Sequence, residues 1–303
     1  MAEEATVLTR LSDALAGAVE KAGAATVMVD ARQRFPASGV IWTPDGTVVT
    51  SDHVIERDEN IRIGLAGGQT VQARLVGRDP GSDLAVLKIE GAAVAAELAP
   101  AGAAKVGHFV LAVGRPTEGD VMASFGVIGA VGGPWRTFRG MTVDGYMRSD
   151  TTFYPGFSGG PLVDSEGRVV GINSSRLGRG AGLTVPAAAV TKVVEALLTG
   201  GKIRRGYLGI GSQAVRLPAG LSAKLGRDQE TGLLVVGVEE GSPADRAGLL
   251  VGDILVAMAA TPLHDTDDLQ THLGPDSVGQ QRTISVLRGG DPRDIAVTVG
   301  ERE

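Results

Sequence analysis

Apolar residues recur along this chain at two different periods, and the change of period divides it. Leu8, Leu11, Leu15 and Val19 fall at helical spacing with polar residues between them, and Gly23 follows. Residues 6 to 22 are therefore predicted to form an amphipathic helix that stops near that glycine. From Ala25 the period shortens. Thr26 to Ala31, Ser38 to Trp42 and Thr47 to Thr50 are short β-prone runs, the last two joined by the turn Thr43-Pro44-Asp45-Gly46. Further runs lie at 61–66, 70–78, 84–90, 109–115, 121–131 and 145–150, then at Leu162–Val163, Val169–Ile172 and Leu183–Val185. So many short strands at even spacing predict barrels or a sandwich, hence a mainly β fold.

Pro186 opens a second helix, whose Val190, Val193, Val194, Leu197 and Leu198 line one face before Gly200 ends it. Past Gly201-Lys202-Ile203-Arg204-Arg205, strands resume near 207–210, 233–239, 254–259, 282–288 and 294–299. Two short helices interrupt them. In the first, Ser242 is the predicted cap, Pro243 sits in the first turn, and Asp245 completes a capping box before Gly248. The second runs from about Thr266 to Leu273. The expected organisation is a helical segment 1–24, a first domain 25–200, a linker 201–205 and a second domain 206–303.

Composition narrows the functional classes. With 303 residues, 43% hydrophobic and 21% charged, the chain reads as soluble and globular, with room for two or three domains. Its 45 glycines against 4% aromatic residues suit a turn-rich β protein. A net charge of −6 argues against a nucleic-acid partner, and the basic cluster at 202–205 reads as a solvated linker. The absence of cysteine removes disulfides, thiolate nucleophiles and cysteine-ligated zinc. Glu3 and Glu4 replace the basic start of a secretory leader, and no later run approaches the about 18 apolar residues of a membrane span. The expected compartment is the cytoplasm for the chain as it stands, or the periplasm if a leader has been removed.

The candidate chemistry centres on Tyr154-Pro155-Gly156-Phe157-Ser158-Gly159-Gly160-Pro161. Glycines around a serine leave the backbone uncovered, so the amides of Gly156 and Ser158 can face a substrate oxygen beside the hydroxyl, an oxyanion hole in outline. The same string also reads as a plain turn into the strand from Leu162. Partners decide between the two. A serine hydroxyl needs an imidazole to take its proton, and there are four histidines. His53 closes the apolar strand Thr47 to Val54, whereas His108 precedes a strand and His264 and His272 lie in the second unit. A carboxylate must then fix the imidazole tautomer. Asp83, before the apolar run Leu84 to Leu87, is preferred. Asp79 precedes a proline and reads as a turn residue, while Asp52 on a strand would face away from His53. The order His53, Asp83, Ser158 is that of chymotrypsin-like barrels.

With these residues in place, the chain resembles the HtrA/Deg family of serine proteases. The resemblance is carried by Ser38-Gly39-Val40-Ile41, Thr50 to Val54, Gly77 to Lys88, Pro155 to Val163, Gly171-Ile172-Asn173 and Arg205 to Ile210, in the expected order over about residues 20 to 300. It implies a chymotrypsin/trypsin-like double β-barrel followed by a C-terminal PDZ domain. His53 would be the general base, Asp83 its orienting partner and Ser158 the nucleophile, with the Gly156 and Ser158 amides as the oxyanion hole. No metal, nucleotide or organic cofactor is implied. The implied activity is ATP-independent cleavage of unfolded or damaged polypeptides in protein quality control. The PDZ domain would capture C-terminal peptides at Tyr207, Leu208, Gly209 and Ile210, and the protease domains would assemble as a homotrimer or higher homo-oligomer. Gly241 to Leu249 and Gly252 to Leu255 add to the PDZ resemblance.

Two departures from the family pattern bear on the site. The family usually has asparagine where this chain has Phe157 and Tyr154, and these bulky rings are expected to hold the loop in another conformation or to cover the cleft. The site is read as active but in need of switching on. The alternative is a weakly active or inactive protease-fold scaffold or holdase that binds peptides. Thr152 stands six before the serine, where enzymes selective for Lys or Arg carry an acid, so no carboxylate awaits a basic side chain there. By resemblance Phe153 lines the pocket and favours small or aliphatic residues; it reads equally as ordinary core. Arg176 and the loop 177–181 border the same pocket. The glycine-rich loop 132–145, with Trp135 and Arg139, is expected to relay regulatory contacts.

Overall fold

Thr6 starts the first helix, α1 (Val7–Ala25), by accepting the Thr9 amide at 3.2 Å on its hydroxyl. The helix does not stop at Gly23. That residue is buried, and a Cβ there would come within 3.2 Å of Val121, so Gly23 serves close packing. Thr26 ends the helix instead, turning extended while its hydroxyl donates to the Ala22 carbonyl at 2.9 Å. This computed structural model describes residues 6–91, 93–119, 121–136, 142–178, 182–200, 206–226, 228–274 and 277–301, in two compact units, 1–203 and 204–303.

The first unit is a pair of barrels. Strands β1 (Thr26–Asp30), β2 (Ala37–Thr43), β3 (Thr47–Thr50), β4 (Ile61–Gly64), β5 (Thr70–Asp79) and β6 (Leu84–Ile89) run antiparallel in the order β1-β2-β3-β6-β5-β4. Pairing of β1 with β4, Met28 opposite Gly64, closes the ring. Val27, Val29, Ile41, Val48, Ile61, Ile63 and Leu87 fill it. Alternation explains the filling, because every second residue of a strand shares a face.

A second barrel follows, made of β7 (Phe109–Gly114), β8 (Met122–Gly132), β11 (Tyr146–Ser149), β12 (Pro161–Asp164), β13 (Val169–Ser174) and β14 (Leu183–Pro186). It closes where β8 meets β11, Met147 opposite Val131. The small ladder β9 (Trp135–Arg136) and β10 (Thr142–Val143) stands apart from the ring, within the glycine-rich segment. Arg139 of that segment lies outside the described residues.

Between the barrels lies a shared apolar layer, with Val40, Val49, Leu84 and Val86 from one and Leu111, Val113, Val163 and Ile172 from the other. Helix α2 (Ala187–Gly200) seats Val190, Val194 and Leu197 in the same layer, packing on β13 and on β5 and β6. The barrels are thus held by nonpolar burial, the dominant favourable contribution to such docking.

The predicted strand Thr47 to Val54 is shorter than expected. It ends at Thr50, and Asp52–Val54 form one turn of 3₁₀ helix. Polar partners cause the break: the Asp52 amide donates to the Asp83 carbonyl at 3.1 Å, and the Asp52 carboxylate receives Arg78 Nε at 2.6 Å. Asp52 therefore belongs to a turn rather than to the far face of a strand.

The second unit is a β fold with short helices: β15 (Gly206–Tyr207), β16 (Ile210–Arg216), α3 (Ala219–Lys224), β17 (Thr231–Val238), α4 (Pro243–Arg246), β18 (Ile254–Met258), β19 (Thr261–Pro262), α5 (Thr266–Thr271), β20 (Gln281–Arg288), β21 (Asp291–Thr298) and β22 (Gly300–Glu301). Its main sheet is ordered β16-β17-β18-β20-β21, with β19 on β18 and β15 paired to β22. Leu233, Leu255, Ile284, Val286 and Val297 make the core, with Leu249 and Leu269 packed on it. Ser242 caps α4 as expected, accepting the Asp245 amide at 3.2 Å. The strand predicted at 207–210 is interrupted, because Gly209 takes φ +80, a left-handed conformation that no strand contains. Mainly β architecture, two closed six-stranded barrels and a smaller C-terminal β domain agree with the expected fold.

Candidate active site

Three loops of the first unit converge. His53 comes from the 3₁₀ turn after β3, Asp83 from the junction of β5 and β6, and Ser158 from the loop before β12. His53 Nδ1 lies 2.7 Å from Asp83 Oδ2 and 3.0 Å from Oδ1, and the His53 amide donates to Oδ1 at 3.0 Å. A carboxylate only accepts, so Nδ1 carries its proton toward Asp83 and leaves Nε2 as an acceptor. The Asp83 side chain is 3% exposed. Its own backbone is held at φ +55, a left-handed conformation that aspartate tolerates better than most residues. Asp79, expected to be a turn residue, accepts the amides of Gly81 and Ser82 at 3.2 Å each.

The serine loop is fastened to the first barrel. Ser38, at the start of the Ser-Gly-Val-Ile string, donates its amide to the Ser158 carbonyl at 3.2 Å and its hydroxyl to the Gly156 carbonyl at 2.7 Å. Gly159 passes so close that a Cβ there would lie 2.2 Å from the Ser38 carbonyl and 2.3 Å from Thr50 Oγ1. Only glycine fits this position, which also has φ +84. The amides of Gly156 and Ser158 donate to no described protein group, which leaves both available to an incoming oxygen.

Phe157 does not cover the cleft. It is fully buried among Val110, Ala112, Ile128, Met147 and Leu162, and its ring sits where a Cβ on Gly114 would come within 2.6 Å. Tyr154 leans edge-on against it, ring centroids 5.3 Å apart. The expectation of an obstructing Phe157 ring is corrected: that side chain went into the core because a glycine opposite made room, while Tyr154 stays 42% exposed above it.

Thr152 is exposed, and its carbonyl accepts the Ser124 hydroxyl at 2.7 Å. Phe153 is half-buried with its ring across Gly182, where an added Cβ would lie 2.2 Å from the ring. It packs on the same apolar cluster that holds Phe157. Arg176 is exposed, and its amide donates to Ser174 Oγ at 3.2 Å. Residues 179–181 of the loop expected beside it lie outside the described residues.

Sequence reasoning missed Ser174 and Ser175. Ser174 Oγ donates to Asp83 Oδ2 at 2.5 Å, and Ser175 Oγ lies 2.9 Å from Ser158 Oγ. Two consecutive residues at the end of β13 thus touch the acid and the serine. The only signal was their place after Gly171-Ile172-Asn173. Arg78 was also missed; besides Asp52 it donates to the Ile55 carbonyl at 3.0 Å and so clamps the turn that carries His53. His53 is the histidine paired with a buried carboxylate among the described residues, whereas His264 approaches a threonine and His108 and His272 lie in turns.

In the second unit, Tyr207, Leu208, Gly209 and Ile210 line one side of a groove of about 430 Å³, opposite Leu269 and Leu273. The Leu208 and Gly209 carbonyls are engaged by the amides of Ala244 and Glu239 at 2.8 Å each, while the Leu208 and Gly209 amides donate to no described group. The Tyr207 hydroxyl donates to Glu239 Oε2. Groups of three or more potential metal ligands are absent among the described residues, and none of their helices is long and apolar enough to cross a membrane.

Comparison with known proteins places these features in company. Residues 37–172 match the trypsin-like peptidase domain and residues 206–299 the PDZ domain. A probable periplasmic serine endoprotease, DegP-like, of Ectopseudomonas mendocina (strain ymp) is 35% identical over 272 residues, covering 87% of this chain and 56% of that protein. A protein of the same description from Hahella chejuensis is 34% identical over 270 residues, with the same coverage of 87% and 56%. The chain spans little more than half the length of these curated relatives. Among solved structures, the serine endoprotease from Yersinia pestis has a TM-score of 0.77 at 30% identity, covering 95% of this chain and 98% of that one. The HtrA-type protease AlgW with a decapeptide has a TM-score of 0.77 at 28% identity, covering 95% and 99%.

Proposed function

This chain belongs to the HtrA/DegP family of trypsin-like serine proteases with a PDZ domain, and from that premise we propose that it is an ATP-independent serine endopeptidase acting on unfolded or damaged polypeptides. The observation that carries the reading is the end of β13, where Ser174 bonds the acid of the His53 pair and Ser175 bonds Ser158, so base, acid and nucleophile share one wall. In the proposed reaction Ser158 Oγ attacks the scissile carbonyl carbon and its proton passes to His53 Nε2. The amides of Gly156 and Ser158 hold the developing oxyanion. His53 then protonates the leaving amine, and water hydrolyses the acyl-enzyme by the same route. The protease domain is assigned to 25–200 and the peptide-binding domain to 206–303, joined by 201–205.

Peptide capture is assigned to the Tyr207–Ile210 groove, where the Leu208 and Gly209 amides suit a terminal carboxylate and Leu269 and Leu273 suit an apolar last side chain. The AlgW structure carries a decapeptide, which supports a peptide as ligand. The curated relatives are described as periplasmic, which supports the periplasm over the cytoplasm as this protein's compartment. Assembly as a homotrimer or higher homo-oligomer is part of the same proposal, with native mass as its measure.

The test is serine-directed labelling. A fluorophosphonate is expected to form an adduct mapped by peptide mass to Ser158, and casein to be cleaved without ATP. An adduct on another serine, or none even with a PDZ-binding peptide present, overturns the assignment. The latter result favours the scaffold or holdase reading, to which the lack of a Ser158–His53 hydrogen bond among the described residues lends support.

Specificity follows from Phe153. Its ring packs across Gly182, and as the proposed wall of the pocket it would suit small or aliphatic residues. Phe153→Ala is expected to raise kcat/KM for leucine over alanine at the cleaved position by about tenfold, the scale of one or two methylenes in an apolar pocket. A peptide-library profile identical to wild type would remove Phe153 from the pocket.

A further inference from the structure

Ser158 has a hydroxyl partner, and it is not the base. Its Oγ lies 2.9 Å from Ser175 Oγ and accepts the Ser175 amide at 3.3 Å, whereas no hydrogen bond joins it to His53 among the described residues. His53 meanwhile already has its Nδ1 committed to Asp83. The acid–base half of the machinery is assembled, and the nucleophile points elsewhere.

Ser175 is held firmly enough to act on this choice. Two residues before it, Asn173 exchanges backbone hydrogen bonds with the serine loop: Gly159 N donates to the Asn173 carbonyl at 2.8 Å and Asn173 N to the Gly160 carbonyl at 2.9 Å. On its other side the amides of Arg176 and Leu177 both donate to Ser174 Oγ at 3.2 Å. The distance between Ser175 and Ser158 is therefore set by the backbone. Ser158 is 7% exposed, so its hydroxyl depends on protein partners, while Ser175 is exposed at the cleft.

We propose that Ser175 is a positioning residue that holds the Ser158 hydroxyl in a resting rotamer, and that the nucleophile reaches His53 Nε2 only by rotating about χ1 and giving up the Ser175 hydroxyl. Staggered rotamers are the available alternatives for a serine. In the resting one Oγ has two partners from Ser175; in the working one it donates to Nε2, which is otherwise without a hydrogen-bond partner among the described residues. The hydroxyl of Ser175 thus lowers the fraction of enzyme poised to react without touching the reacting atoms of the substrate. This inference rests on Ser158 being the nucleophile.

The experiment compares fluorophosphonate labelling rates and casein-peptide kinetics for wild type, Ser175→Ala, Ser175→Val and Ser175→Thr. Loss of one hydrogen bond is expected to raise the labelling rate and kcat by about threefold to tenfold in the alanine and valine variants, with KM unchanged. The threonine variant, which keeps the hydroxyl, is expected to label at the wild-type rate. Valine and threonine share a shape, so this pair carries the test even if alanine disturbs the end of β13. Labelling of the valine variant at or below the threonine rate overturns the inference, and leaves the protease assignment standing where casein is still cut. Absence of Ser158 labelling in all four proteins overturns both.

Discussion

Ser158→Ala is expected to lower kcat on casein by about 10⁶, to abolish the fluorophosphonate adduct and to leave the thermal midpoint close to wild type. The loss is large because the alanine has nothing to form the acyl bond. The small cleavage that persists would come from the oxyanion amides and substrate binding alone, about 10³ to 10⁴ over water. Stability is expected to hold because the loop is fastened through its backbone. The Ser158 carbonyl keeps the Ser38 amide at 3.2 Å, and Gly159 and Gly160 keep their bonds to Asn173. The groups released are the hydroxyl and the amide of Ser175, an exposed residue whose polar groups water can satisfy. Cleavage at the wild-type rate by the purified variant, with melting unchanged, would sink the assignment of the nucleophile.

Asp83→Asn is expected to cost about 10⁴ in kcat with KM changed little. The backbone is not the reason, since asparagine accepts the left-handed φ of +55 as readily as aspartate. The carboxylate accepts from His53 N, His53 Nδ1 and Ser174 Oγ, a set made entirely of donors. An amide offers one acceptor oxygen where two were used. If its oxygen takes the Oδ1 place and serves the His53 amide, its NH₂ takes the Oδ2 place and faces both Nδ1 and Ser174 Oγ, the proton moves to Nε2, and the imidazole can no longer take one from Ser158. Steady-state kinetics on a peptide substrate read this directly. A fall in kcat below about tenfold would mean that Asp83 is not the orienting group.

The mainly β fold and the order His53, Asp83, Ser158 were legible because each rests on a local signal: alternation for the strands, a glycine-enclosed serine, and a carboxylate ahead of an apolar run. What was not legible depends on contacts between distant segments. Asp52 looked like a strand residue until Arg78, on β5, drew it into a turn. Gly23 looked like a helix stop until Val121 filled the space beside it. Phe157 looked obstructive because nothing local reveals that Gly114, on β7, leaves a seat for its ring. Ser174 and Ser175 are ordinary small polar residues in sequence. Their roles come from the register of β13, which sets one against Asp83 and the next against Ser158. The interrupted strand at 207–210 had a visible cause in Gly209, whose positive φ a strand pattern hides.

The serine loop belongs to the second barrel, yet Ser38 and Thr50, which it closes upon, belong to the first. Neither barrel by itself holds the whole proposed triad. The first barrel carries the proposed base and acid, His53 and Asp83, and the second carries the proposed nucleophile, Ser158. The proposed hydrolytic centre is thus a property of the seam between the barrels, complete only where the two are docked.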